Sequence, residues 1–102
     1  MKVGVVMGSK SDLPVVEKGI QVLKDFGVEP VVRILSAHRT PSQAEAFSKE
    51  AEADGIEVII AAAGKAAHLG GVLAANTPLP VIGIPMKTSD LGGMDSLLSQ
   101  QF

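Results

Sequence analysis

Cysteine, tryptophan and tyrosine are absent from this 102-residue sequence, and phenylalanine occurs only three times. Without cysteine there is no disulfide framework, no thiolate metal site and no thiol nucleophile. So few aromatic platforms argue against modules that stack nucleic-acid bases. Charge is sparse too. Nine Lys and Arg against eleven Asp and Glu give a formal net charge of −2, and no basic block is present to track a phosphate backbone. The apolar run in the N-terminal "MKVGVVMGSK" is too short for a signal-peptide core. The longest apolar stretch, residues 58–63, falls far below a membrane span. The expectation is a soluble, cytoplasmic protein with neither nucleic acid nor membrane as partner.

What is present is aliphatic. The chain is 46% hydrophobic, which excludes general disorder, and its length suits one domain over residues 1–102. Four β-branched runs recur at 3–7, 28–35, 56–63 and 79–85. They are continuous rather than alternating, as in strands covered on both faces. Helical patterns separate them. Val16, Ile20 and Leu23 fall at i, i+4 and i+7, with Gly27 as a C-terminal stop. Thr40-Pro41-Ser42-Gln43 has capping-box spacing, and Ala44, Phe47 and Ala51 follow on one face. Residues 66–75 are almost all small, with Gly70-Gly71 permitting close backbone approach. Strand–helix repetition of this kind predicts an α/β three-layer sandwich around a parallel sheet.

In a parallel sheet the C-terminal ends of all strands share one edge, where ligands bind. The loops expected there are Gly8-Ser9-Lys10-Ser11-Asp12, Ser36-Ala37-His38-Arg39-Thr40, Gly64-Lys65-Ala66-Ala67-His68 and Met86-Lys87-Thr88-Ser89-Asp90. Both histidines of the chain lie on that rim. The first loop enters a helix through Ser11 or Asp12, with Pro14 in the first turn, so its free N–H groups suit a phosphate; the same residues equally serve as plain helix caps. Arg39 beside the Ser36 hydroxyl can grip a phosphate, or lie in solvent with Thr40 capping the next helix. His38 and His68 lack a third ligand in a recognised spacing, so no metal is expected. A Ser–His–Asp hydrolase lacks its nucleophile-elbow pattern here.

Taken together, "MGSKSD" (residues 7–12), "SAHRTP" (36–41), "AAHL" (66–69), "TPLPVIGIP" (77–85) and "DSLLS" (95–99) resemble the class I 5-(carboxyamino)imidazole ribonucleotide mutases, the catalytic subunits of phosphoribosylaminoimidazole carboxylase. The resemblance implies a flavodoxin-like domain, a homo-octamer, a ribonucleotide substrate, and neither cofactor nor metal. It also implies transfer of a carboxylate from an exocyclic nitrogen to carbon 4 of an aminoimidazole in purine biosynthesis. Carried over by position, Ser9, Asp12 and Arg39 bind substrate and Ser36 supports the phosphate end. His38 carries the catalytic proton, and His68 lines the imidazole and carboxylate pocket. A histidine titrates near neutrality, so one group can give a proton to nitrogen and take one from carbon.

The sequence departs from that family at three places. Lys65 stands where the family has Gly, and Gly70 where it has Pro. The family also continues past "DSLLS" through a fifth strand and further helices. The expectation is therefore a C-terminally shortened mutase domain with four of five strands; the alternative is a non-catalytic nucleotide-binding or assembly remnant. A flavin or receiver module fits less well, lacking the aromatic stack and the acidic cluster respectively.

Overall fold

The structure, a computed structural model, describes residues 1–36, 40–63 and 69–86. Its centre is β1 (Lys2–Met7), in which every residue from Val3 to Met7 is buried. Successive side chains point to opposite faces, so a continuous apolar strand feeds two cores. Val3 and Val5 pack with Ile20 of α1 (Leu13–Asp25). Val6 packs on the other side, with Ala44 and Ala51 of α2 (Pro41–Ala51) and with Leu69 and Leu73 of α3 (Leu69–Ala75). A Cβ on Gly4 would lie 3.1 Å from the Phe47 ring, so bare backbone there lets α2 settle onto β1.

β1 pairs in parallel with β2 (Glu29–Ile34) on one side and β3 (Ile56–Ala63) on the other; β4 (Val81–Pro85) pairs in parallel with β3. The order is β2-β1-β3-β4. The direction of progress across the sheet reverses after β2, which sends α1 to one face and α2 and α3 to the other. This is the α/β sandwich predicted from the sequence, with four parallel strands among the described residues. No helix among those residues is long and apolar enough to cross a membrane.

Helix α1 stops where Gly27 was expected to stop it. Gly27 has φ +78°, its N–H donates to the Lys24 carbonyl at 3.0 Å, and Val28 N–H reaches back to Leu23 at 2.9 Å. These are the two bonds of a Schellman cap. Other expectations need correction. Full coverage on both faces holds for β1, whereas Arg33 and Ile34 of the edge strand β2 are exposed, and so are Ile82 and Ile84 of β4, which lie on the face that α1, packed on β1 and β2, does not reach. The flanking positions Val28, Leu35, Leu79 and Pro80 lie just outside the strands. Thr40 precedes α2, but its side chain makes no capping bond to that helix.

Candidate functional site

Strand pairing gathers the loop bases. Leu35 N–H donates to the Met7 carbonyl at 2.9 Å, Gly8 N–H to Ala62 at 3.1 Å, and Met86 N–H to Ala63 at 2.9 Å. All four loops therefore leave the same edge of the sheet. The first and third loops leave adjacent strands, β1 and β3, at the point where the winding reverses, the place where ligands bind in open α/β sheets.

The first loop is built around Ser9. Its hydroxyl accepts from Ser11 N–H at 3.2 Å and shares a 2.8 Å hydrogen bond with the Ser11 hydroxyl. Asp12 N–H donates to the Ser9 carbonyl at 3.0 Å, closing a 3₁₀ turn over Lys10–Asp12 ahead of α1. Pro14 lies in the first turn of α1 as expected. Asp12 stands at the N-cap position of α1, one of the two expected entries, without a side-chain capping bond; the side-chain cap of the loop is made by Ser9, on the 3₁₀ turn. The N–H groups of Ser11 and Asp12 are thus already used within the loop. The loop also carries an exposed cation, Lys10, beside the two hydroxyls and the Asp12 carboxyl.

Burial pushes the Asp12 carboxyl above its ordinary 3.8, with a backbone hydrogen bond from Ser9 pulling the other way. A carboxyl raised in the folded state favours the protonated form on folding. Its stabilising contribution is complete below 3.8 and is lost as pH rises through the folded-state value. Asp12→Asn keeps that contribution at every pH. The stability advantage of Asp12→Asn over the natural chain is therefore expected to grow from about pH 3.8 upward and then level off. Urea unfolding at a series of pH values checks this, and a flat difference would contradict it.

The second loop is clamped at its base. Ser36 N–H donates to the Thr40 hydroxyl at 2.8 Å; that hydroxyl donates to the Ser36 carbonyl at 3.2 Å, and Thr40 N–H to the same carbonyl at 2.9 Å. Thr40, expected to cap α2, instead ties the two ends of the "SAHRT" loop together. The i, i+4 spacing of two hydroxyl residues across a loop was the available signal. Thr40→Val removes the acceptor used by Ser36 N–H and is expected to cost about 0.5–1.5 kcal/mol in stability, with Thr40→Ser restoring most of it. Chemical denaturation of the two variants measures both effects.

The structure thus brings Ser9, Asp12 and Ser36 to one rim, Ser9 and Asp12 from β1 and Ser36 from its neighbour β2. His38, Arg39, Lys65 and His68 lie outside the described residues.

An open parallel α/β sheet whose winding reverses between β1 and β3, with α1 on one face and α2 and α3 on the other, defines the doubly wound, flavodoxin-like fold class. Within that class the chain belongs to the AIR carboxylase family, whose sequence profile matches residues 2–101. It is 57% identical over 98 residues to the N5-carboxyaminoimidazole ribonucleotide mutase of Pyrococcus abyssi, a match covering 96% of this chain and 56% of that protein. It is 59% identical over 97 residues to the phosphoribosylaminoimidazole carboxylase of Saccharomyces cerevisiae, covering 95% of this chain and 17% of that protein. The crystal structure of Treponema denticola PurE superposes with a TM-score of 0.85 at 35% identity, over 95% of this chain and 63% of that one. The chain spans about half the length of the mutases it matches.

Proposed function

We propose that this chain binds a 5-aminoimidazole ribonucleotide and moves a carboxylate from its exocyclic nitrogen to ring carbon 4, a step of purine biosynthesis. The observation that carries this reading is 57% identity, over all but a few residues of the chain, to a protein named for that mutase. The N-carboxylate leaves as CO₂, the electrons of the broken C–N bond stay on nitrogen, and that nitrogen takes up a proton. Carbon 4 then attacks the CO₂, and the proton it still carries departs to restore the aromatic ring. One proton enters and one leaves, with no change of oxidation state and no cofactor or metal required.

In this reading His38 carries both protons, and Arg39 grips the 5′-phosphate with its two-pronged guanidinium, assisted by Ser36. Ser9 and Asp12 hold the ribose hydroxyls. That assignment draws on the loop geometry, where the N–H groups of Ser11 and Asp12 are already taken within the loop. His68 lines the imidazole and carboxylate pocket, in a domain that assembles as a homo-octamer in the cytoplasm. The test is to follow conversion of the carboxyamino ribonucleotide to the 4-carboxylate by absorbance, without ATP or added metal. Turnover supports the reading. Ribonucleotide binding without turnover would overturn the catalytic part of the reading.

A further inference from the structure

Strand β2 is an edge of the sheet, so alternate residues turn their peptide groups away from β1, toward whatever could pair there. Glu29 N–H donates to the Met1 carbonyl at 2.9 Å, and Leu35 N–H to the Met7 carbonyl at 2.9 Å. The β1–β2 register runs from Glu29 to Ile34 without a shift. The odd-numbered residues therefore face β1. Pro30, Val32 and Ile34 face outward, and Val28 and Ser36 continue that row at its two ends.

The row is closed along most of its length. Val28 N–H is taken by the Leu23 carbonyl at 2.9 Å. Pro30 has no N–H to give. The Val32 carbonyl accepts from its neighbour's guanidinium, Arg33 Nη1, at 2.8 Å. Ser36 is engaged by Thr40 through both its N–H and its carbonyl. Among these outward residues, Ile34 is the one whose donor and acceptor both stay open. An added strand needs donors and acceptors at successive outward positions, which a single open residue cannot supply.

The segment behind those closures is one that readily pairs with copies of itself. Residues 31–35, Val-Val-Arg-Ile-Leu, are aliphatic apart from Arg33, and Ile34 is 44% exposed. We infer that Pro30 and Arg33 are gatekeepers that keep β2 from pairing with the β2 of a second copy. Two identical edges related by a two-fold axis pair antiparallel. Ile34 set against Pro30 of the other copy finds no donor. Set against Val32, it finds the carbonyl held by Arg33. Set against the other Ile34, it brings Val32 opposite Ser36, whose groups Thr40 already holds. Charge does not explain the guard: losing Arg33 takes the formal net charge from −2 to −3, which strengthens repulsion between copies.

The test combines Pro30→Val with Arg33→Thr in the 102-residue chain, followed by sedimentation and by hydrogen exchange of individual amides. The expected result is a larger species than the natural chain forms at the same concentration. The Val32 and Ile34 amides should become protected at least ~10-fold over the natural chain. Each single variant should fall between, and the melting temperature should be equal or higher, since both new residues favour strands. Lys24→Thr, which removes a cation from the exposed side of α1, should behave as the natural chain does. An unchanged species in the double variant, growth that leaves Val32 and Ile34 unprotected, or the same growth in Lys24→Thr would overturn the inference. The natural chain supplies an independent check, whether or not the double variant folds. Its Val32 and Ile34 amides should exchange freely at every concentration, beside protected Val31 and Arg33. Protection of Val32 and Ile34 that rises with concentration would mean the edge is already paired, and the inference would fail.

Discussion

Replacing His38 by Asn is expected to lower turnover by at least ~100-fold while ribonucleotide affinity changes little. An amide of similar size keeps a hydrogen-bonding edge but has no pKa near neutrality, so it cannot deliver a proton to nitrogen and then collect one from carbon. The proposed reaction needs both transfers in each cycle. Loss confined to kcat is the signature of a group that acts only as the transition state forms. The measurement is the absorbance assay alongside calorimetric titration of the product. Retained turnover in His38→Asn would remove this residue from the proposed chemistry.

Arg39→Ala should act on affinity instead. If its guanidinium holds the 5′-phosphate, truncation is expected to weaken ribonucleotide binding by about 1.5–3 kcal/mol, roughly ten- to 150-fold in Kd. Binding of the dephosphorylated nucleoside should barely change, because it lacks the dianion that Arg39 would neutralise. Equal losses for the two ligands would mean that Arg39 does not contact the phosphate. The pair of variants separates holding from proton transfer between neighbouring positions of one loop, whose base the Ser36–Thr40 hydrogen bonds fasten.

Much of the architecture could be read in the chain itself. The runs at 3–7 and 56–63 became β1 and β3 almost to the residue, since a buried parallel strand is a local, continuous apolar pattern. Gly27 ended α1 because the positive φ of the cap is a property of that single position. The loops at the strand ends were likewise legible, as topology fixes the edge from which they emerge. Capping was less so. Asp12 stands at the entry of α1 as expected, but the capping hydrogen bond comes from Ser9 on the 3₁₀ turn before it, and Thr40 turns back to Ser36 rather than forward into α2. A hydroxyl two to four residues from several backbone groups has more than one partner within reach, and the path of the loop selects among them.

By itself, then, the sequence determined the alternation of strands and helices, the parallel sheet, the polar loops of the site and the family to which the chain belongs. These follow from short-range patterns and from motifs. Only the tertiary structure decided the strand order, and with it which loops become neighbours across β1 and β3 and which strands keep an exposed face. It also decided that Asp12 is buried enough for its carboxyl to shift upward. Only folding revealed that the second stripe of α1 has no cover among the described residues. Val15, Val22 and Phe26 are apolar in the same way as Val16, Ile20 and Leu23. What separates the two sets is distance to a sheet assembled from four remote segments, which no local pattern encodes.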